Sequence, residues 1–156
     1  MVLHISEFDA SFGQRSLKEK RILCLDEQGF LGEKLNRALN SGSFEFVSAA
    51  MARETAMRLC LERFDMVILD LENSTSTWET LQRISEVNPL IPVIVLADLP
   101  SERDLPTLAG VAAILEKPVN FGLLKEVLYR LGQEPFEKRL HRIAAHRPIL
   151  IPAQAV

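Results

Sequence analysis

In this 156-residue chain, three short apolar runs stop on charged residues. "RILCL" runs into Asp26 and Glu27, "DMVIL" into Asp70, and "AAIL" into Glu116 and Lys117, with Pro118 next. If the three runs are neighbouring strands, the carboxylates of Asp26, Glu27 and Asp70 meet the ammonium of Lys117 at one edge. Acids held that close repel and raise one another's pKa, so the cluster wants a cation. Oxygen-only donors of this kind suit Mg²⁺, which keeps several waters and takes one or two carboxylates plus a phosphate.

The elements that must position these residues alternate along the chain. Apolar runs occur at 21–25, 44–49 ("FEFVSA"), 65–69, 92–96 ("PVIVL") and 112–115. Continuous apolar residues without period-two alternation mark strands covered on both faces, at least for the first, third and fourth runs. Helix-period segments lie between them. Phe30, Leu31, Leu35, Ala38 and Leu39 share one stripe; Ala52, Ala56, Leu59 and Cys60 share a second; Trp78, Leu81, Ile84 and Val87 share a third, stopped by Pro89. A weaker segment at 101–110 is interrupted by Pro106, and a last one at 119–132 ends on Gly132. Strict alternation predicts an α/β fold, an open doubly wound parallel sheet of five strands with helices on both faces. Ligands of such sheets sit beyond the carboxyl ends of the strands, where the strand order reverses.

With "ILCLDE", "FDMVILDL", "IPVIVLAD" and "AGVAAILEKP" in this order over residues 20–132, the sequence resembles the receiver domain of two-component response regulators. The resemblance implies a flavodoxin-like sheet of order 2-1-3-4-5 and a signalling protein rather than an enzyme. It makes Asp70 the phosphoacceptor, supplied by a histidine kinase, a phosphotransfer protein or a small phosphodonor. Asp26 and Glu27 become the metal-binding acids for Mg²⁺, completed by Asp70 and the backbone carbonyl of Glu72. Lys117 becomes the phosphoryl partner. Two departures stand out. The hydroxyl residue that ends the fourth strand of a working receiver is here Ala97, and the aromatic three residues before the lysine is Ile114. Glu72 also adds a carboxylate close to the phosphoryl position, able either to repel the phosphate or to orient a water. The alternative reading is a degenerate receiver that docks a partner without phosphorylation. "ILDLENS" resembles as well the aspartate motif of haloacid dehalogenase-like phosphatases, but those place it on the first strand of a longer chain. No G-x-G-x-x-G follows the first strand, which argues against dinucleotide binding.

Composition narrows the remaining classes. A net charge of −3 gives no whole-chain signal for nucleic acid. No apolar run reaches the ~18 residues of a membrane span, and the N-terminus has early acids rather than a basic start. A cytoplasmic protein is expected, with Cys24 and Cys60 as reduced core residues. His4, His141 and His146 are expected at the surface. Residues 1–20 read as an N-terminal extension, 21–132 as the receiver domain, and 133–156 as a basic amphipathic helix followed by a tail. In that helix Phe136, Leu140, Ile143 and Ala144 stand beside Lys138, Arg139, Arg142 and Arg147. "PILIPAQAV" suits a linker or an exposed apolar tail. The resemblance further implies a homodimer through the face of the fourth helix, fifth strand and fifth helix, with Leu123, Val127 and Tyr129 either in that interface or in the core.

Overall fold

Each apolar run becomes a strand because its residues alternate between two covered faces. The computed structural model describes residues 20–39, 42–70, 74–98, 111–145 and 148–153. Along them run β1 (Lys20–Asp26), α1 (Leu31–Leu39), β2 (Phe44–Ala49), α2 (Ala52–Leu61), β3 (Met66–Asp70), α3 (Ser74–Val87), β4 (Val93–Ala97), β5 (Ala113–Glu116), α4 (Phe121–Gly132), α5 (Phe136–Ala145) and β6 (Ile149–Ile151). All strands are parallel, in the order β2-β1-β3-β4-β5-β6. On one face Ile22, Cys24, Ile68, Ile94 and Leu115 meet Leu35 of α1 and Leu124 and Leu128 of α4. On the other, Leu23, Leu25, Val67, Leu69, Val95 and Ile114 meet Ile84 and Leu81 of α3 and Leu59 of α2. Each fully buried Leu or Ile contributes roughly 1.5–3 kcal/mol, so these two layers hold the strand ends still.

The order 2-1-3-4-5 is as expected; the sixth strand is not. "PILIPAQAV" was expected to be a linker or exposed tail, whereas Ile149–Ile151 pair with β5, and the Ile149 N–H donates to the Ala112 carbonyl at 2.9 Å. The physical reason is that β5 would otherwise leave a row of unpaired backbone groups at the sheet edge. Ile149 and Ile151 also pack against the main core. The helix expected at 101–110 and nearly all of the N-terminal extension lie outside the described residues.

Helix α1 is held against β2 at very short range. A Cβ on Gly32 would stand 2.5 Å from Ser48 Oγ and 2.8 Å from the Ser48 backbone nitrogen, so only glycine fits. The Gly32 N–H donates to Ser48 Oγ at 2.8 Å. One turn on, Asn36 clasps the outer edge of β2: its Nδ2 donates to the Phe46 carbonyl at 3.1 Å and its Oδ1 accepts from the Phe46 N–H at 3.4 Å.

Two expectations about burial change, and one left open is decided for Val127. Cys60 is exposed while Cys24 is buried, because α2 is shallowly packed and buries only Thr55. Burial, and then the charge of Asp26, push the Cys24 thiol up. Phe30 and Trp78 stand 61% and 46% exposed, so neither joins the core stripe of its helix. Val127 lies in the core, whereas Tyr129 packs on Phe44 at a centroid distance of 4.9 Å and donates its hydroxyl to Ser43 Oγ. No helix among the described residues is long and apolar enough to cross a membrane.

Candidate functional site

Strand order alone brings the first two acids together. Asp26 and Asp70 are register partners at the ends of adjacent strands β1 and β3. Behind them Leu25 and Leu69 are buried, so the carboxylates stand on backbone that packing fixes. Lys117, just past β5, forms an ion pair through Nζ with Asp70 Oδ1, both side chains being about a quarter exposed. Because β4 lies between β3 and β5, the lysine reaches across the end of β4. Its N–H donates to the Ala97 carbonyl at 2.7 Å, which anchors the backbone from which the side chain extends.

The loop after β1 sets the direction of Asp26. Its Oδ1 accepts from the Leu31 N–H at the start of α1 at 3.2 Å, and its carbonyl accepts from the Gly29 N–H at 3.3 Å. Gly29 has a φ of +77°, a left-handed turn that a side chain would strain. A carboxylate at a helix N-terminus is also favoured by the helix dipole. On the far side, Asn120 caps α4 through Oδ1, which accepts from the N–H groups of Gly122 and Leu123 and fixes the chain after Lys117 and Pro118.

Asp26 and Asp70 line one hollow of about 580 Å³ together with Gln28, Phe30, Lys34 and Arg37. Glu27 lines a different hollow of about 240 Å³, beside Met51, Glu79 and Thr80. Of the three acids predicted to converge, Asp26 and Asp70 share a hollow and Glu27 lines the other. Among the described residues no group of three or more His, Cys, Asp or Glu side chains is placed to hold a metal ion. Glu72 lies outside the described residues. The donor chemistry of the remaining pair still fits Mg²⁺: Asp26 and Asp70 each retain an oxygen after bonding Leu31 and Lys117, and this cation needs only one or two carboxylates. Periodicity did not single out Lys34 and Arg37, whose signal is their place three and six residues after Leu31 on the helix that opens at Asp26.

Ala97 ends β4, opposite Glu116 in register, and offers a methyl group instead of a hydroxyl. Ile114 is 2% exposed and opposite Val95, its side chain sealed into the α3 face. His141 is exposed on α5, while His4 and His146 lie outside the described residues.

No protein-family model and no curated protein matches the sequence. Solved structures do match. The chemotaxis response regulator CheY4 of Vibrio cholerae superposes with a TM-score of 0.62 at 21% identity, over 72% of this chain and 98% of that one. The chain has the fold of a response regulator receiver domain. A receiver domain of the Francisella response regulator 1452 gives 0.61 at 18% identity, covering 73% and 97%. The CheY-like receiver domain protein of Methanospirillum hungatei JF-1 gives 0.62 at 23%, covering 78% and 97%. At these identities the likeness is one of fold. These receivers are covered almost whole, while roughly a quarter of the present chain extends beyond them.

Proposed function

We propose that the protein is a phosphorelay receiver in which Asp70 accepts a phosphoryl group from a phosphohistidine on a histidine kinase or phosphotransfer protein. The observation that supports this most directly is the Asp70 to Lys117 ion pair at the carboxyl edge of the sheet, beside the second carboxylate of Asp26. A carboxylate oxygen of Asp70 attacks the phosphorus in line; the new P–O bond forms as the donor P–N bond breaks, and the leaving imidazole takes up a proton. The Lys117 ammonium is already at the nucleophile and passes to the phosphoryl oxygens as their charge develops. Asp26 and Asp70 would hold Mg²⁺, with Glu27 and the Glu72 carbonyl as the further ligands that the family resemblance implies. The ion supplies neutralisation of phosphoryl charge. A cytoplasmic setting and a role as signal receiver rather than turnover enzyme belong to the same proposal.

A second reading, a receiver that docks a partner without phosphorylation, draws on Ala97 and Ile114. With no hydroxyl at the first position and a sealed aliphatic at the second, the usual relay from the phosphoryl group has neither of its parts. Losing one charge-assisted phosphoryl hydrogen bond, roughly 1.5–3 kcal/mol, weakens relay more than chemistry, so the first reading is kept. The test is intact mass after incubation with Mg²⁺ and acetyl phosphate. One added phosphoryl group, absent from Asp70→Asn and lost with chelator, is the expected result. No addition to a folded protein that is also indifferent to Mg²⁺ and beryllofluoride would establish the second reading.

A further inference from the structure

The outer side of β5 carries an inference independent of whether Asp70 is phosphorylated. We propose that β6 is an intramolecular partner for the edge of β5, keeping monomeric a chain that would otherwise pair with a second copy through that edge. Three of the four residues of β5 are in register with it: Ala113 with Ile149, Ile114 with Leu150, and Leu115 with Ile151. The hydrogen bond from the Ile149 N–H to the Ala112 carbonyl begins the ladder. Ala112, Ala113, Ile114 and Leu115 are all 2% exposed or less, and none is charged or a proline. Stripped of β6, they would form an uncharged apolar edge of the kind that pairs with another chain.

Prolines at both ends, absent from β5, are found on β6. It is only three residues long, with Pro148 before it and Pro152 after it, neither of which can donate to a further strand. The sheet therefore ends by design one strand further out. The approach to β6 is also anchored. Glu134 accepts from Arg142 through both oxygens, at 2.9 and 3.0 Å, and stands 3.7 Å from Arg139. Arg139 in turn shares a small hollow with Lys20, Asp65, Asn88 and Ile91, at the sheet edge opposite Asp70. Helix α5 thus begins beside the start of the sheet, from which β6 runs parallel to β5. The released edge fits a second copy because Ala112 to Leu115 are uncharged and the single charge, Glu116, stands at the end of β5, so about a two-fold axis the Glu116 of one copy falls at the Ala112 end of the other and not against its own counterpart.

Sedimentation velocity of the full chain between about 10 and 200 μM tests this, alongside Ile149→Pro, which removes the N–H that bonds Ala112. The parent should sediment as a monomer of 17.6 kDa. The variant should associate, with a dimer constant at least tenfold lower than any detectable for the parent. A dimeric parent, or a variant that is folded by circular dichroism and monomeric over the same range, overturns the proposal. Should the variant unfold, hydrogen exchange of the parent decides. Amides of Ile149 and Ile151, which face β5, protected at least tenfold support the cap, and these two exchanging at unprotected rates refute it.

Discussion

Replacing Lys117 with methionine isolates the charge pair on which the site is built. In contact, opposite charges near a surface attract by several kcal/mol, and desolvation together with side-chain ordering offsets most of that. With both side chains about a quarter exposed, a net coupling of about 1 kcal/mol is expected from the contact itself. Lys117→Met does more than delete the contact. It leaves Asp26 and Asp70 facing each other from strands about 4.8 Å apart, with no neutralising charge. Its total cost should reach about 2 kcal/mol. Asp70→Asn also breaks the contact but removes one of the two like charges, and should cost about 1 kcal/mol. The double variant should therefore be milder than the sum of the singles by about 1 kcal/mol. Urea unfolding of the four proteins at pH 7.5 and low salt measures the cycle, and 1 M NaCl should shrink the coupling because screening shortens to about 3 Å. Mg²⁺ should return part of the stability lost by Lys117→Met and little to Asp70→Asn. Additivity within about 0.3 kcal/mol, or a larger loss from Asp70→Asn than from Lys117→Met, would refute the reasoning.

Two further expectations follow from other parts of the molecule. Hydrogen bonds from Arg142, then the charges of Arg142 and Arg139, hold the Glu134 carboxyl below the usual carboxylate range against the opposing effect of burial. A folded value below the unfolded one means the pair stabilises fully above the unfolded value of about 4.3 and loses that contribution as pH falls through the folded value. The gap between the parent and Glu134→Gln, about 1.5 kcal/mol at pH 7, should close as pH falls from about 5 toward 3 in urea titrations. Gly32→Ala should cost about 1–3 kcal/mol, despite the ~1 kcal/mol of helix propensity that alanine adds, because its Cβ meets the Ser48 backbone. Adding Ser48→Ala removes only the hydroxyl clash and should not restore parental stability, which differential scanning calorimetry would reveal.

The parallel sheet was legible because Ile22 to Leu25, Met66 to Leu69 and Val93 to Leu96 are apolar without interruption, which only strands covered on both faces require. Asp26, Asp70 and Lys117 were legible for the complementary reason: charges that end such runs fall on one edge of a parallel sheet whatever the loops do. Strand β6 escaped notice because three residues between two prolines are too short for any period to register. Cys60, Phe30 and Trp78 were misplaced because periodicity says which residues share a helix face, not how much of that face a neighbour covers. Glu27, one residue past β1, lines the hollow next to the one that Asp26 and Asp70 share, a side-chain direction that residue spacing does not encode.

The clasp of Asn36 on Phe46 bears on how this protein behaves when crowded. Phe44, Phe46 and Val47 make β2 a segment that could template cross-β growth if its outer backbone were open. A primary amide offers one donor and one acceptor at the spacing of a peptide group, so Asn36 presents Phe46 with a counterfeit neighbouring strand one residue long. No second molecule can add there without first prising away a side chain fixed on a helix. At this margin the Phe46 backbone is covered by Asn36 and the Ser48 carbonyl by Arg58, so a joining strand would have to displace both side chains.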